Sequence, residues 1–428
     1  MHNLLRCRRG TVAFATVVAL VPLIGVVALG GEAGSWYVSK QHAQNAADAA
    51  AYSGALWVAC SDPTKCDKTQ DYIYKGKQFA ARNAFCNAGE SYPGSTCVSL
   101  PAGTSQTVQI DQPTPTRVRA IVSQHQPGYL SGVLRLFPDG VDIRAQAVAE
   151  VQKNPQELCF LGLGGPSITG LTIGGSSTIT GNGCGMMSNT DVKYNSTPNF
   201  SGPGWAVNAV KGCVASAGHC DVGVPHNYNM LPSTNPLQVL DTESFNSRTG
   251  NTKTCTSKTC SLTPNSTGAY GDLTVGNGDT VNFAPGTYFF YNATIKITGG
   301  TVTGTGVTLV LLGTTSSLTI NGGTVNLSAP AINTTSSHLN GVLIDDQAQN
   351  AVSSKTAVTV NGGGTVTLGG AMYFPHVDVQ WNGTAQNANT TCSQVIANTL
   401  DLGGNAYIST QNCVPSTVSQ TQVVVLVK

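Results

Sequence analysis

The chain has 428 residues and a formal net charge of +1, and only 10% of its residues are charged. That balance offers no basic surface to neutralise phosphates, which argues against a nucleic-acid partner. The 49 glycines, set in runs of Thr, Ser, Asn and Val, disfavour helix and suit short strands joined by tight turns. A hydrophobic share of 40% is enough to bury a core, which excludes wholesale disorder.

A basic tail, residues 1–10 with Arg6, Arg8 and Arg9, precedes an uncharged apolar run over residues 11–31. A run of about 20 apolar residues crosses a bilayer as a helix. Arginines before it and Glu32 after it predict a cytoplasmic N-terminus and export of the rest. Trp36 and Tyr37 fall where an interfacial aromatic belt lies, and Pro22 is tolerated within a membrane helix. A cleaved signal peptide is the alternative, with small residues at 30–34, but the run exceeds the usual signal core of about 7–15 residues. The helix is expected to continue over residues 32–59, where Ala43, Ala46, Ala47, Ala50 and Gly54 form a small-residue stripe. Such a stripe admits close approach of a neighbouring element, from the same chain or from another subunit.

Arg9-Gly10-Thr11-Val12-Ala13, the apolar run, Gly34-Ser35-Trp36-Tyr37 and Gln44-Asn45-Ala46-Ala47-Asp48-Ala49-Ala50-Ala51 together resemble the N-terminal module of the Tad/Flp pilus-assembly family, the TadG-like members above all. The match covers roughly residues 8–57, and Glu32 stands where the family carries an acid. Prepilins have a glutamate five residues after the cleavage glycine. Here Ala15 occupies that place after Gly10, so the resemblance implies an uncleaved accessory component rather than the fibre subunit. It further implies a role in building or anchoring an adhesive pilus.

Residues 60–154 read as a small α+β region. A helix is expected at about 71–85, strands at 107–110, 117–122 and 141–151, and a further helix at 128–137. Cys7 precedes the apolar run. Cys60, Cys66, Cys86, Cys97, Cys159, Cys184, Cys213, Cys220, Cys255, Cys260, Cys392 and Cys413 follow it. An even set on one side of a membrane fits disulfides in an oxidising compartment, with connectivity left open. Zinc is disfavoured because no pair has CxxC spacing.

From residue 155 to 428 the chain repeats a phrase. Near-copies of a short alternating strand broken by Asn-Gly or Gly-Gly start at Leu171, Ile295, Leu318 and Val358. Ile295 and Leu318 are 23 residues apart, and the next gap of 40 reads as two turns of about 20. Recurrence at this period predicts a parallel β-helix, right-handed by the crossover rule, with an antiparallel β-sandwich as the alternative because Asn-Gly is also a hairpin signal. Residues 185–270 interrupt the phrase and read as a disulfide-rich insertion.

Many β-helices act on polysaccharides, so acids in this part matter. Asp345-Asp346 resembles a fragment of a polygalacturonase site, but the Gly-His-Gly and Arg-Ile-Lys segments expected with it are absent. His376 and Asp378 are the other candidates, and adjacent acids ending a strand are more often solvated turn residues. No phosphate loop, Gly-x-Ser-x-Gly elbow or Asp-x-Ser-x-Ser metal motif occurs, and no tandem acidic repeat suits calcium. The expectation is a non-enzyme with no catalytic residue, metal or cofactor. Its expected place is a bacterial inner membrane, single-pass, with the bulk periplasmic. The expected partners are the membrane and other Tad assembly proteins or pilin subunits. A surface adhesin is the alternative, with Tyr373, Phe374 and Trp381 as glycan-facing aromatics; a polysaccharide-acting enzyme stands behind it.

Overall fold

The computed structural model describes residues 8–60, 69–133, 135–165, 168–174, 178–215, 220, 224–245, 248–252, 255, 257–347, 358–361, 363–382 and 392–427. It divides into two compact units, residues 1–152 with 424–428, and residues 153–423.

The first unit is built on one continuous helix, α1 (Arg8–Ala59), which carries Pro22 without breaking. At 1.5 Å per residue it is about 78 Å long. In its apolar first half Val17, Val26 and Val27 are all exposed. In its second half Ala43, Ala46, Ala47, Ala50, Ala51 and Ala55 are fully buried. Helix α2 (Tyr72–Arg82) starts at Asp71, whose side chain accepts from the Tyr74 N–H at 2.7 Å, a standard N-cap. Strands β1 (Ser105–Thr114), β2 (Arg117–Gln126) and β3 (Val141–Gly162) follow. They form an antiparallel sheet with Val108 opposite Val122 and Val122 opposite Ala145. Val118, Ala120, Val122, Ala145, Ala147 and Ala149 line the sheet face that shares a core with the alanine stripe. Small residues on both sides let the backbones come close. A Cβ on Gly54 would lie 2.8 Å from Val118 Cγ1. The helix expected over residues 128–137 is a single turn, Leu130–Val133; it is closed by Arg135 in the left-handed region at φ +55° and by the Leu136 N–H donating back to the Ser131 carbonyl. Cys86 and Cys97 are bonded, and Cys60 is disulfide-bonded as well; Cys66 lies outside the described residues.

The second unit is a β-solenoid of about nine turns. Rung pairs with rung in parallel, which disfavours the sandwich: Leu273 stands beside Ile295, Ile295 beside Leu318, Leu318 beside Val358 and Val358 beside Val379. Val379 stands beside Leu400 and Leu400 beside Leu171. These side chains stack into one buried apolar row, which no coil is able to bury alone. The 40-residue gap is a single coil, not two, since Leu318 pairs directly with Val358; part of the extra length leaves the solenoid between Ser328 and Val342.

The expected insertion at 185–270 is also corrected. Cys184–Ser188, Asp191–Tyr194 and Val207–Ala209 are rungs that continue the stack below the first coil. What leaves the coil is the stretch around residues 228–245. Its Met230, Leu237, Leu240 and Phe245 cover the outer side of one sheet, against Met187, Ile396, Tyr373, Val310 and Phe289. The glycine pairs of the repeated phrase mark corners where successive coils nearly touch. Gly323 has φ +87°, and a Cβ there would lie 2.6 Å from the Gly299 carbonyl oxygen. Disulfides Cys159–Cys184, Cys213–Cys220, Cys255–Cys260 and Cys392–Cys413 pin the unit; each joins cysteines adjacent among those of this part of the chain.

Candidate functional site

Asp345 and Asp346 end the strand Val342–Asp346, every residue of which is buried. Strand alternation sends the two acids to opposite faces: Asp345 is in register with Val310 and Tyr373, and Asp346 with Leu311. The face carrying Asp345 is roofed by the 3-10 turn Gln238–Thr242. Between roof and sheet lies a cleft of about 490 Å³, lined by Asp241, Glu243, Arg248, Asp345, Asp346 and His376 among others.

The cleft's polar groups are mostly tied to one another. The Tyr373 hydroxyl donates to Asp241 Oδ1 at 2.7 Å and accepts from Asn235 Nδ2 at 2.7 Å. Gln347 Nε2 donates to Asp345 Oδ2 at 2.9 Å. His338 Nδ1 lies 2.7 Å from Glu243 Oε2, and the Arg248 guanidinium lies 4.8 Å from the centre of the Phe289 ring. Asp345 is completely buried. Burial, against the Gln347 hydrogen bond and with the charges of Asp346, Asp241 and Glu243, lifts its carboxyl well above the ordinary range. The fold therefore favours the protonated form of Asp345 over the carboxylate.

His376 lines the cleft, but Asp378 does not; its carboxylate accepts from the Thr399 hydroxyl on the next rung. Asp241 and Glu243 are cleft residues that sequence reasoning missed. They lie about a hundred positions upstream of Asp345 in a stretch without periodicity, and only the roofing of the sheet by that stretch brings them together. Among the described residues no group of His, Cys, Asp and Glu is arranged to hold a metal ion. Tyr373, Phe374 and Trp381, considered above as glycan-facing, are all exposed by 1% or less; Phe374 and Trp381 belong to the solenoid's interior core and Tyr373 lies under the roof.

The other functional element is α1. Glu32 directly follows the apolar run. Its carboxylate accepts from the Tyr129 N–H at 2.8 Å, the Ser131 N–H at 3.0 Å and the Ser131 hydroxyl at 2.8 Å. Trp36 meets Phe137 edge-on at 5.6 Å. Further along, Gln126 Nε2 donates to Ser39 Oγ at 2.7 Å, and Lys40 donates to the Arg144 carbonyl. Of the two readings of the alanine stripe, the structure shows packing within its own chain for these alanines. The helix is long and apolar enough to cross a membrane.

Residues 10–57 match the Tad family model, Flp pilus-assembly TadE/G-like. No curated protein and no solved structure matches the chain.

Proposed function

We propose, from a Tad module that begins in an exposed apolar helix, that the chain is a membrane-anchored, non-enzymatic component of a Tad (Flp, type IVc) pilus system. Its part is to support pilus biogenesis and surface adhesion, with other Tad assembly proteins or pilin subunits as partners. The helix lies in the bacterial inner membrane with the N-terminus cytoplasmic, and the solenoid is displayed on the periplasmic side. The observation that carries this reading is the family match over residues 10–57 laid over a helix whose first half exposes apolar side chains such as Val17, Val26 and Val27. The arginines before the run favour that orientation, and disulfides in both units favour an oxidising compartment.

A catalytic reading of the cleft is disfavoured because Asp345 and Asp346 are exposed by 1% or less, leaving no approach for a glycosidic oxygen. Deletion of the gene, with complementation by the full chain, tests the proposal. Piliation and surface attachment are expected to fall on deletion and return on complementation; normal piliation and attachment in the deletion strain refute it.

A further inference from the structure

The segment at residues 128–137 is small, but it places an unusual set of side chains. Tyr129 is 67% exposed, Val133 79%, Leu136 56% and Phe137 48%. Four large apolar residues facing solvent within nine positions is the pattern of an interaction surface rather than of a solvated loop. The segment is also held in a fixed place. Glu32 accepts from both backbone N–H groups at its start and from the Ser131 hydroxyl, while Trp36 packs on Phe137 at its end. Its contacts on α1 thus run from residue 32 to 36, which is about 6 Å of helix at 1.5 Å per residue. That stretch begins where the uncharged run of residues 11–31 stops.

We infer that residues 128–137 form a second membrane contact, an apolar tip seated in the headgroup layer beside α1. The inference rests on the membrane-anchored reading. Given that reading, the occupant follows from position: the polar layer on each side of the hydrocarbon is on the order of 5–8 Å deep, and the tip is pinned within that distance of its edge. Tyr129 and Trp36 are residue types that favour this layer. Arg135 is exposed among the apolar side chains, where a long cationic side chain keeps its stem in the apolar zone and its head among phosphates. Asp139 follows at the exposed end of the segment, beyond the apolar tip. Two points of attachment, the helix and the tip, would fix the rotation of α1 about its axis and the tilt of the sheet that follows.

The test uses the full chain, carrying Cys7→Ser, reconstituted into vesicles of phosphatidylcholine and phosphatidylglycerol. A single environment-sensitive fluorophore is placed in turn on Val133→Cys, on Val27→Cys within the apolar run, and on Ile332→Cys in an exposed loop of the solenoid. The Val133 label is expected to emit to the blue of the Ile332 label and to be quenched more by a shallow lipid nitroxide than by a deep one. The Val27 label should show the opposite depth preference. A Val133 label that behaves like Ile332 while Val27 is quenched overturns the inference and leaves the anchor intact. A blue-shifted Val133 label that no lipid nitroxide quenches overturns it in favour of a protein partner. Absence of quenching at Val27 overturns the anchor and the inference with it.

Discussion

Asp345 shows how a single side chain couples this fold to pH. Its carboxyl is lifted by burial and by three neighbouring acids, so above the ordinary value of about 4 the native state keeps a proton that the unfolded chain has released. Stability from this group is therefore full below that value and declines as pH rises until the raised pKa is passed. Asp345→Asn removes the titration while keeping a neutral side chain of the same shape. The variant should melt higher than the parent at neutral pH, and its melting temperature should change less between acid and neutral conditions; thermal melts across pH check both. Gly323 works through geometry instead. Its positive φ and the Gly299 oxygen 2.6 Å from where a Cβ would stand predict that Gly323→Ala costs about 1–3 kcal/mol, visible as a lower denaturant midpoint at unchanged slope. The repeated Gly-Gly was legible as a turn signal; the reason for the second glycine, close stacking of adjacent coils, was not, because it depends on a neighbour more than 20 residues away.

Among the elements, α1 divides its work along its length. The apolar half was legible from composition, and so was the small-residue stripe of the other half. What the stripe faces was not, since a row of alanines fits any partner with small side chains. The structure resolves this with Val118, Ala120 and Ala149 on the sheet and with α2, where a Cβ on Gly76 would sit 3.2 Å from the Ala50 carbonyl oxygen. Ala50→Leu should then act as an overpacking substitution and destabilise the first unit by roughly 1–3 kcal/mol. Faster amide exchange along β1 and β2, with exchange in the solenoid rungs unchanged, is the expected outcome. If the stripe instead served only a contact with another subunit, exchange within the isolated chain would not respond. The strands of the sheet were readable from their alternation, whereas the single-turn helix at Leu130–Val133 was overread because its apolar residues serve exposure rather than packing.

At the scale of the solenoid, the order of coils in space differs from their order in sequence. The first coil, beginning at Glu157, has the rung Cys184–Ser188 on one side and the last coil, Ser393–Leu402, on the other. The chain thus starts in the interior of its own stack and builds outward to His226. It then returns along the outer face through residues 228–245, on the order of 45 Å for about nine turns at ~4.8 Å each, and builds inward again from Asn251. The period of the repeats revealed the coils, but no period encodes which coil neighbours which, so both the stacking of Leu400 on Leu171 and the roof over Asp345 were invisible to it. A consequence separates this solenoid from one wound end to end, in which removing the final coil shortens the stack and exposes one new end. Here, ending the chain at Cys392 would remove the partners of Phe160, Leu171 and Ile173 from the middle of the row. The truncated solenoid should lose its single cooperative transition and separate into two weaker ones, with new protease cuts near residues 157–182. A single transition at nearly the parental temperature, together with unchanged protection of that first coil, would show that the two halves do not depend on each other for their shared interface.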